Sequence, residues 1–431
     1  MSVPNLKLQQ CREATPSPTM PGRPMTRAEL AEAVNDHLWR TTGRRRELDA
    51  HTIARYERGV VRWPGKDYRR ALCAVLNATE TELGFSAGRR KDVESRRDAL
   101  AVNLFSPFNP EQMPPDYLSG IKAMVRVGRS DVDKIQSAVV AAAATENLHG
   151  GGSTTDSAAN HLRVFSPLLR AQAAPETRRA LCEALGNLSG IAAYSAFDIA
   201  AYTKAERRFR FALWCADAAG SWELRAATLA DMARKTAYIG NPDGALSLIE
   251  LAQVRSDRLS DTTRAMLATL RAQFLSALSR TDEALSEVAR ADEHFAAREP
   301  SEDAPWMCYY DQAEHLGSTG KALIPVAIAR GRIDLAAPRI RQAIQLQGEN
   351  YPRSRTFSRT RLATLTMQLG EPRTAATLGM EAVADASKFH SQRIRDELRN
   401  LAAVATPHRR ITDVAELRHA IALLPELETV L

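Results

Sequence analysis

Four short stretches of one form recur through the C-terminal part of the chain and restrict its fold more than any other feature. Gly240-Asn-Pro-Asp-Gly-Ala245, Arg280-Thr-Asp-Glu-Ala284, Gly331-Arg-Ile-Asp-Leu-Ala336 and Gly370-Glu-Pro-Arg-Thr-Ala375 each lead from a Gly or Arg through mostly polar residues to an alanine, with segments of helical period on both sides. Their leading residues are 40, 51 and 39 positions apart (240 to 280, 280 to 331, 331 to 370). Gly and Pro at such points stop one helix and start the next. One helical hairpin cannot bury its apolar stripe alone, so hairpins repeated in this way must stack, and a stack leaves a concave groove. An earlier copy is expected to bend near Asp198, between Phe197 and Tyr202, with Phe209, Leu213 and Ala216 continuing the next helix.

Composition supports an all-α chain of two or three domains: 431 residues, abundant Ala, and only 6% aromatics. The five cysteines (Cys11, Cys73, Cys182, Cys215, Cys308) are far apart and lack any CxxC spacing, which argues against disulfides or a zinc site and for a cytoplasmic protein. The longest apolar run, Ala138 to Ala144, is far short of a membrane span, and the N-terminus has no apolar core of signal-peptide length.

Charge is uneven. Residues 1–100 carry 19 Lys+Arg and 13 Asp+Glu, or +6, which leaves 39 and 38, or +1, for the remainder of a chain with 58 and 51. The excess belongs to the first 100 residues as a whole, within which the stretch from Thr26 to Gly59 carries 7 Lys+Arg against 6 Asp+Glu, or +1. There Thr26 and Glu29 form a capping box, and Leu30, Ala31, Val34 and Leu38 follow at helical spacing. Gly43 releases the chain into Arg44-Arg45-Arg46, Asp49 caps a second helix through Ile53 and Tyr56, and Gly59 tolerates a left-handed stop. A His and an Arg exposed near the start of that helix suit a major groove.

The segments LAEAVN, TIARYERG, YRRALCAVL and ELGF together resemble the phage-repressor/Cro-type helix-turn-helix of XRE-like regulators, over roughly residues 23–85. The resemblance implies that Ala50, His51, Thr52 and Arg55 read bases and that Arg27 and Arg58 contact phosphates. The stretch Asp36 to Leu48 is longer than most members have there and adds the Arg44-Arg45-Arg46 turn, a further candidate phosphate contact. The body resembles the tetratricopeptide class, with intervals longer and less regular than that class's usual thirty-four or so residues. The expected organisation is a flexible arm over 1–22, the DNA-binding helix-turn-helix over 23–85, a charged linker over 86–111, and a tetratricopeptide-like solenoid over 112–431 that dimerises and senses. Gly150-Gly151-Gly152 and the Ser-Thr run after it are expected to form a loop.

No catalytic signature stands out, so no enzymatic activity, cofactor or metal is expected. Asp311, Glu314 and His315 have spacings that could converge on a metal, but these are also ordinary helix-surface pairs. The aromatics Tyr202, Trp222, Tyr238, Trp306 and Tyr310, with Asp311 and Glu314, are the candidate lining of a groove for a peptide or small-molecule effector. The alternative for the aromatics is hairpin core. The basic stretch Arg353, Arg355, Arg359, Arg361 is expected on a solvated helix face, the alternative being contact with an acidic ligand or with the DNA. The expected function is a homodimeric, sequence-specific transcriptional regulator that binds a double-stranded DNA operator and does not engage a membrane. The alternative is an adaptor that uses the groove to hold a partner protein.

Overall fold

The computed structural model describes residues 4–20, 22–43, 46–61, 63–85, 126–149, 151–348 and 351–424. All named elements among them are α- or 3-10 helices, with two isolated β-bridges, and the chain divides into units over 1–99 and 100–431. The expected linker over 86–111, and with it Arg44 and Arg45, lies outside the described residues.

The N-terminal unit has α1 (Leu6–Ala14), α2 (Arg27–Thr42), α3 (Ala50–Glu57) and α4 (Lys66–Leu76) around a core of Leu8, Leu30, Val34, Ile53, Leu72 and Leu83. The capping box forms, with the Thr26 hydroxyl accepting from the Glu29 N–H and the Glu29 carboxylate accepting from the Thr26 N–H. Gly43 closes α2 at φ +66°, Asp49 caps α3 through the Thr52 N–H, and Gly59 follows at φ +70°.

The N-terminal arm departs from expectation. Residues 6–14 are helical, Leu8 is buried in the core, and Asn5 ties the segment down: its N–H donates to the Glu57 carbonyl (2.7 Å) and its amide to the Leu83 carbonyl (2.9 Å). The prolines end this helix rather than dissolving it, and Pro16 bridges back to Pro24.

The second unit is a stack of antiparallel hairpins: α5 (Arg129–His149) with α6 (Gly151–Phe165), α7 (Pro175–Asp198) with α8 (Tyr202–Ala219), and α9 (Trp222–Tyr238) with α10 (Pro242–Ala252). It continues with α11 (Asp261–Ala277) and α12 (Thr281–Ala297), α13 (Gln312–Arg330) and α14 (Ala337–Gln347), α15 (Pro352–Leu369) and α16 (Pro372–Ala386), and α17 (Gln392–Val404) and α18 (Thr412–Ala422). All four signature turns fall between the two helices of a hairpin, and the bend near Asp198 joins α7 to α8 with Ala200 at φ +64°. Ala230, Ala233, Ala245, Ala265 and Ala284 are fully buried, so small side chains at the crossings let the helices approach closely.

The first helices of successive hairpins, α5, α7, α9, α11, α13, α15 and α17, each pack against the next and form one layer. That layer curves back on itself: α15 touches α5, and side chains of α15 and α17 bond to those of α7 and α9. The Gly-Ser-Thr stretch expected as a loop instead begins α6 at Gly151. A Cβ at Gly151 would lie 2.3 Å from the Ser195 carbonyl oxygen, so this glycine serves a close approach of α6 to α7.

Candidate nucleic-acid interface and inner polar face

In the N-terminal unit, α3 buries Ile53, Tyr56 and Glu57 and turns His51 and Arg55 outward, one helical turn apart, with Ala50 and Thr52 half-buried beside them. Both ends of this helix are held. Ahead of it, the Asn35 side chain of α2 donates to the Leu48 carbonyl (2.8 Å) and accepts from the Leu48 N–H (2.9 Å), which fixes the long connection to α2. At its exit the Glu57 carboxylate, 3% exposed as a residue, accepts from Arg12 Nε (2.6 Å) and Arg27 Nε (2.7 Å). Arg12 also donates to the Met25 carbonyl (2.8 Å), so α1, α2 and α3 meet at one buried carboxylate.

This geometry separates the candidate phosphate contacts. Arg27 is half-exposed but spends its Nε on Glu57, and Arg46 forms an exposed ion pair with Asp67 (3.3 Å), a type of pair worth little. Arg58, the C-cap of α3, and Arg55 are exposed. Trp63 carries the Arg69 guanidinium 3.7 Å above its ring and packs against the core, in keeping with a packing role.

In the hairpin unit the candidate effector residues do not form one lining. Tyr202 and Tyr238 are neighbours (ring centroids 6.5 Å apart) packed around Phe197, and the Tyr238 hydroxyl donates to Asp396. Trp222 starts the helix that Tyr238 ends, about 24 Å away at 1.5 Å per residue. It lies between Arg225 and Arg255, each 5.8 Å from its ring. Trp306 packs against the largest core cluster. Tyr310 is a correction: it is 3% exposed, with its hydroxyl 2.7 Å from Thr269 Oγ1, because the 3-10 turn Pro305–Tyr309 directs it into the core. Asp311 caps α13 through the Glu314 N–H (2.9 Å), and Glu314 accepts from Ser318 (2.6 Å); both border a small cleft with Tyr309, Gln347 and Tyr351. His315 turns away from them, stacked on Phe295 at 4.1 Å and bonded to Asp292 (2.8 Å). Among the described residues no three His, Cys, Asp or Glu side chains could hold a metal ion.

The larger correction concerns the arginines of α15. A spacing of two places successive residues on opposite sides of a helix, and their carboxylate partners lie far off in sequence. Arg355 and Arg359 face α16 and pair with Asp385 (3.5 and 2.7 Å). Arg353 and Arg361 face the inner layer on either side of Phe357. Arg353 is buried, bonded to the fully buried Asp198, and 3.0 Å from Glu146 in an ion pair without a good hydrogen-bond angle. Asp198 also accepts from Ser391 (2.9 Å) and from the Gly151 N–H (3.2 Å). Arg361 grips Glu397 with two nitrogens (2.8 and 3.1 Å), and Arg393 donates to the Tyr194 hydroxyl (2.8 Å). Arg234 bonds Asp231 (2.5 Å) and Tyr309 (3.3 Å). Burial pushes the carboxyls of Glu146 and Asp231 up, against the pull of Arg353 and Arg234.

Lys321 of α13 sits within this polar layer. Burial first, then the field of Arg361, bring its ammonium down from the usual 10.5 to about 7. The charged form is therefore disfavoured in the folded chain. Between about pH 7 and 10.5 the unfolded chain binds the extra proton, so Lys321 makes stability rise with pH across that window. Denaturant unfolding should show the wild type gaining stability relative to Lys321→Met between these limits; a constant difference would contradict the depressed value.

No protein-family model matches the chain, and no curated protein matches it. No helix among the described residues is long and apolar enough to cross a membrane.

Proposed function

We propose that the protein is a sequence-specific DNA-binding transcriptional regulator whose hairpin unit mediates dimerisation and takes a peptide or small-molecule effector. The observation that carries this reading is the presentation of α3, held at both ends by Asn35 and Glu57 while His51 and Arg55 stay exposed on one face. A rigid, exposed helix with a basic side chain one turn from its start can enter a major groove and aim a guanidinium at guanine O6 and N7. The excess charge of the first 100 residues supplies attraction to phosphate. Two such units in a dimer would meet two half-sites one helical turn apart. An effector on the inner face of the hairpin unit acts through its different affinity for two arrangements of that unit.

The test is selection of bound duplexes from a random pool, followed by gel retardation with the selected duplex and a scrambled one. Arg55→Ala should lose about 1–3 kcal/mol of discrimination between them, while Arg58→Ala weakens both alike and lowers the salt slope by about one unit. Arg27→Ala is a poor phosphate probe, because it also strips a partner from Glu57. Failure to enrich any sequence, with a stoichiometric protein partner recovered instead, would replace this reading with an adaptor.

A further inference from the structure

The start of α13, the end of α14 and the start of α15 meet at a small cleft of about 40 Å³, bordered by Tyr309, Asp311, Glu314, Gln347, Tyr351 and Ser354. The only charged groups among these are the carboxylates of Asp311 and Glu314, both half-buried. Asp311 spends Oδ1 on the Glu314 N–H (2.9 Å) and Glu314 spends Oε1 on the Ser318 hydroxyl (2.6 Å), which leaves Oδ2 and Oε2 for another donor. Among the described residues neither carboxylate has a cation in ion-pair range. The cation at this end, Arg234 bonded to the Tyr309 hydroxyl (3.3 Å), is already answered by Asp231 (2.5 Å). Gln347 adds an independent sign. It ends α14, is 3% exposed, and its Oε1 is buried with no donor. Buried acceptors are nearly always satisfied, so an orphan bordering a cleft marks a place where a donor from outside completes the set. Two carboxylates and an amide oxygen match an ammonium, which has three N–H donors, no acceptor and the opposite charge. A water brings only two donors and no charge. The Tyr309 and Tyr351 rings beside the acceptors can back a cation. The volume admits a head group of that size, so the remainder of a ligand lies outside the cleft.

We propose that Asp311, Glu314 and Gln347 form a site for the primary ammonium group of the effector, carried by the N-terminus of a peptide or by a small amine. This rests on the effector reading above and names the group by which the ligand is recognised. An ammonium bound there gives one N–H to each of the three side chains and so ties the start of α13 to the end of α14.

The full-length protein is titrated at about pH 7, where alkylamines are protonated, with an alkylamine carrying a dansyl fluorophore, and binding is read by anisotropy. Butylammonium should release the probe and butanol should not. Asp311→Asn and Glu314→Gln should each weaken binding about tenfold, the worth of one charge-assisted hydrogen bond. Asparagine caps a helix as aspartate does, so the first change spares the fold. Gln347→Met should weaken binding without lowering the melting point, because it removes an acceptor that the free protein leaves unsatisfied; a purely structural glutamine would lower it. A short peptide and its N-acetylated form separate the sources: release by the free-amine form alone assigns the site to a peptide N-terminus, and release by butylammonium but neither peptide assigns it to a small amine. No saturable binding up to about 10 mM, the weak end expected of a single head group, or equal binding by wild type and all three variants, overturns the site. Gel retardation run in parallel keeps the two readings apart. Amine binding that leaves DNA retardation unchanged removes the effector reading and leaves the site, whereas retardation without any amine binding removes the site alone.

Discussion

Glu57→Ala should destabilise the N-terminal unit by about 3–5 kcal/mol, the range for removing one partner of a buried ion pair. Its carboxylate is 2% exposed and answers two guanidiniums. Arg27, 46% exposed, can turn to water when that carboxylate is lost, whereas Arg12, 8% exposed, is left with the Met25 carbonyl (2.8 Å) and the more exposed Glu13 (3.2 Å). The cost therefore falls on Arg12, and a melting point lowered by roughly 4–8 °C per kcal/mol follows for a unit of this size. Hydrogen exchange at the amides of α2 and α3 in the full-length protein would report the unit separately from the hairpins. Arg12→Met in the Glu57→Leu background should recover part of the loss, since two apolar side chains leave no stranded charge. An Arg12→Ala effect within about 0.5 kcal/mol, the scale of an ordinary surface change, would mean that α1 is an ornament on the unit. Because α3 ends at this carboxylate, the proposed DNA binding should weaken together with stability although His51 and Arg55 are left unchanged.

That example also marks the boundary of what local spacing reveals. Signals carried by neighbouring residues were legible: the Thr26 and Glu29 capping box, the Asp49 cap, the left-handed glycines at 43 and 59, and the four hairpin turns each depend on contacts within a few positions. Exposure of His51 and Arg55 follows from the burial of Ile53 and Tyr56 on the same short helix. Pairs that close over long distances were not legible. Arg12 finds Glu57 45 positions away and Arg353 finds Asp198 155 away, so an arginine in an expected flexible arm and one on an expected solvated face show no partner until the fold brings their acids to them. Asn35 carries no motif, and only its two bonds to the Leu48 backbone show that it sets the approach of α3. Gly151 misleads for a different reason, since a glycine demanded by helix contact and one demanded by a loop look alike in one sequence.

Asp198→Ala should have the second large effect, opening the inner layer where its two ends meet. The side chain is fully buried and accepts from Arg353, Ser391 and the Gly151 N–H, so it holds α15, the start of α17 and the start of α6 against the end of α7. Without it Arg353 keeps Glu146 at 3.0 Å, but without a good hydrogen bond, and remains largely desolvated. A loss of about 3–5 kcal/mol is expected on the same grounds as for Glu57. Protection against hydrogen exchange should fall first at the start of α17 and of α6, while α11 and α12, which Asp198 does not bond, keep theirs. Asp198→Ala combined with Arg353→Ala should cost less than the sum of the two, because each single change strands the other's buried charge and the double change strands neither. Additive losses, or unchanged exchange at α17, would show that packing between hairpins alone closes the layer.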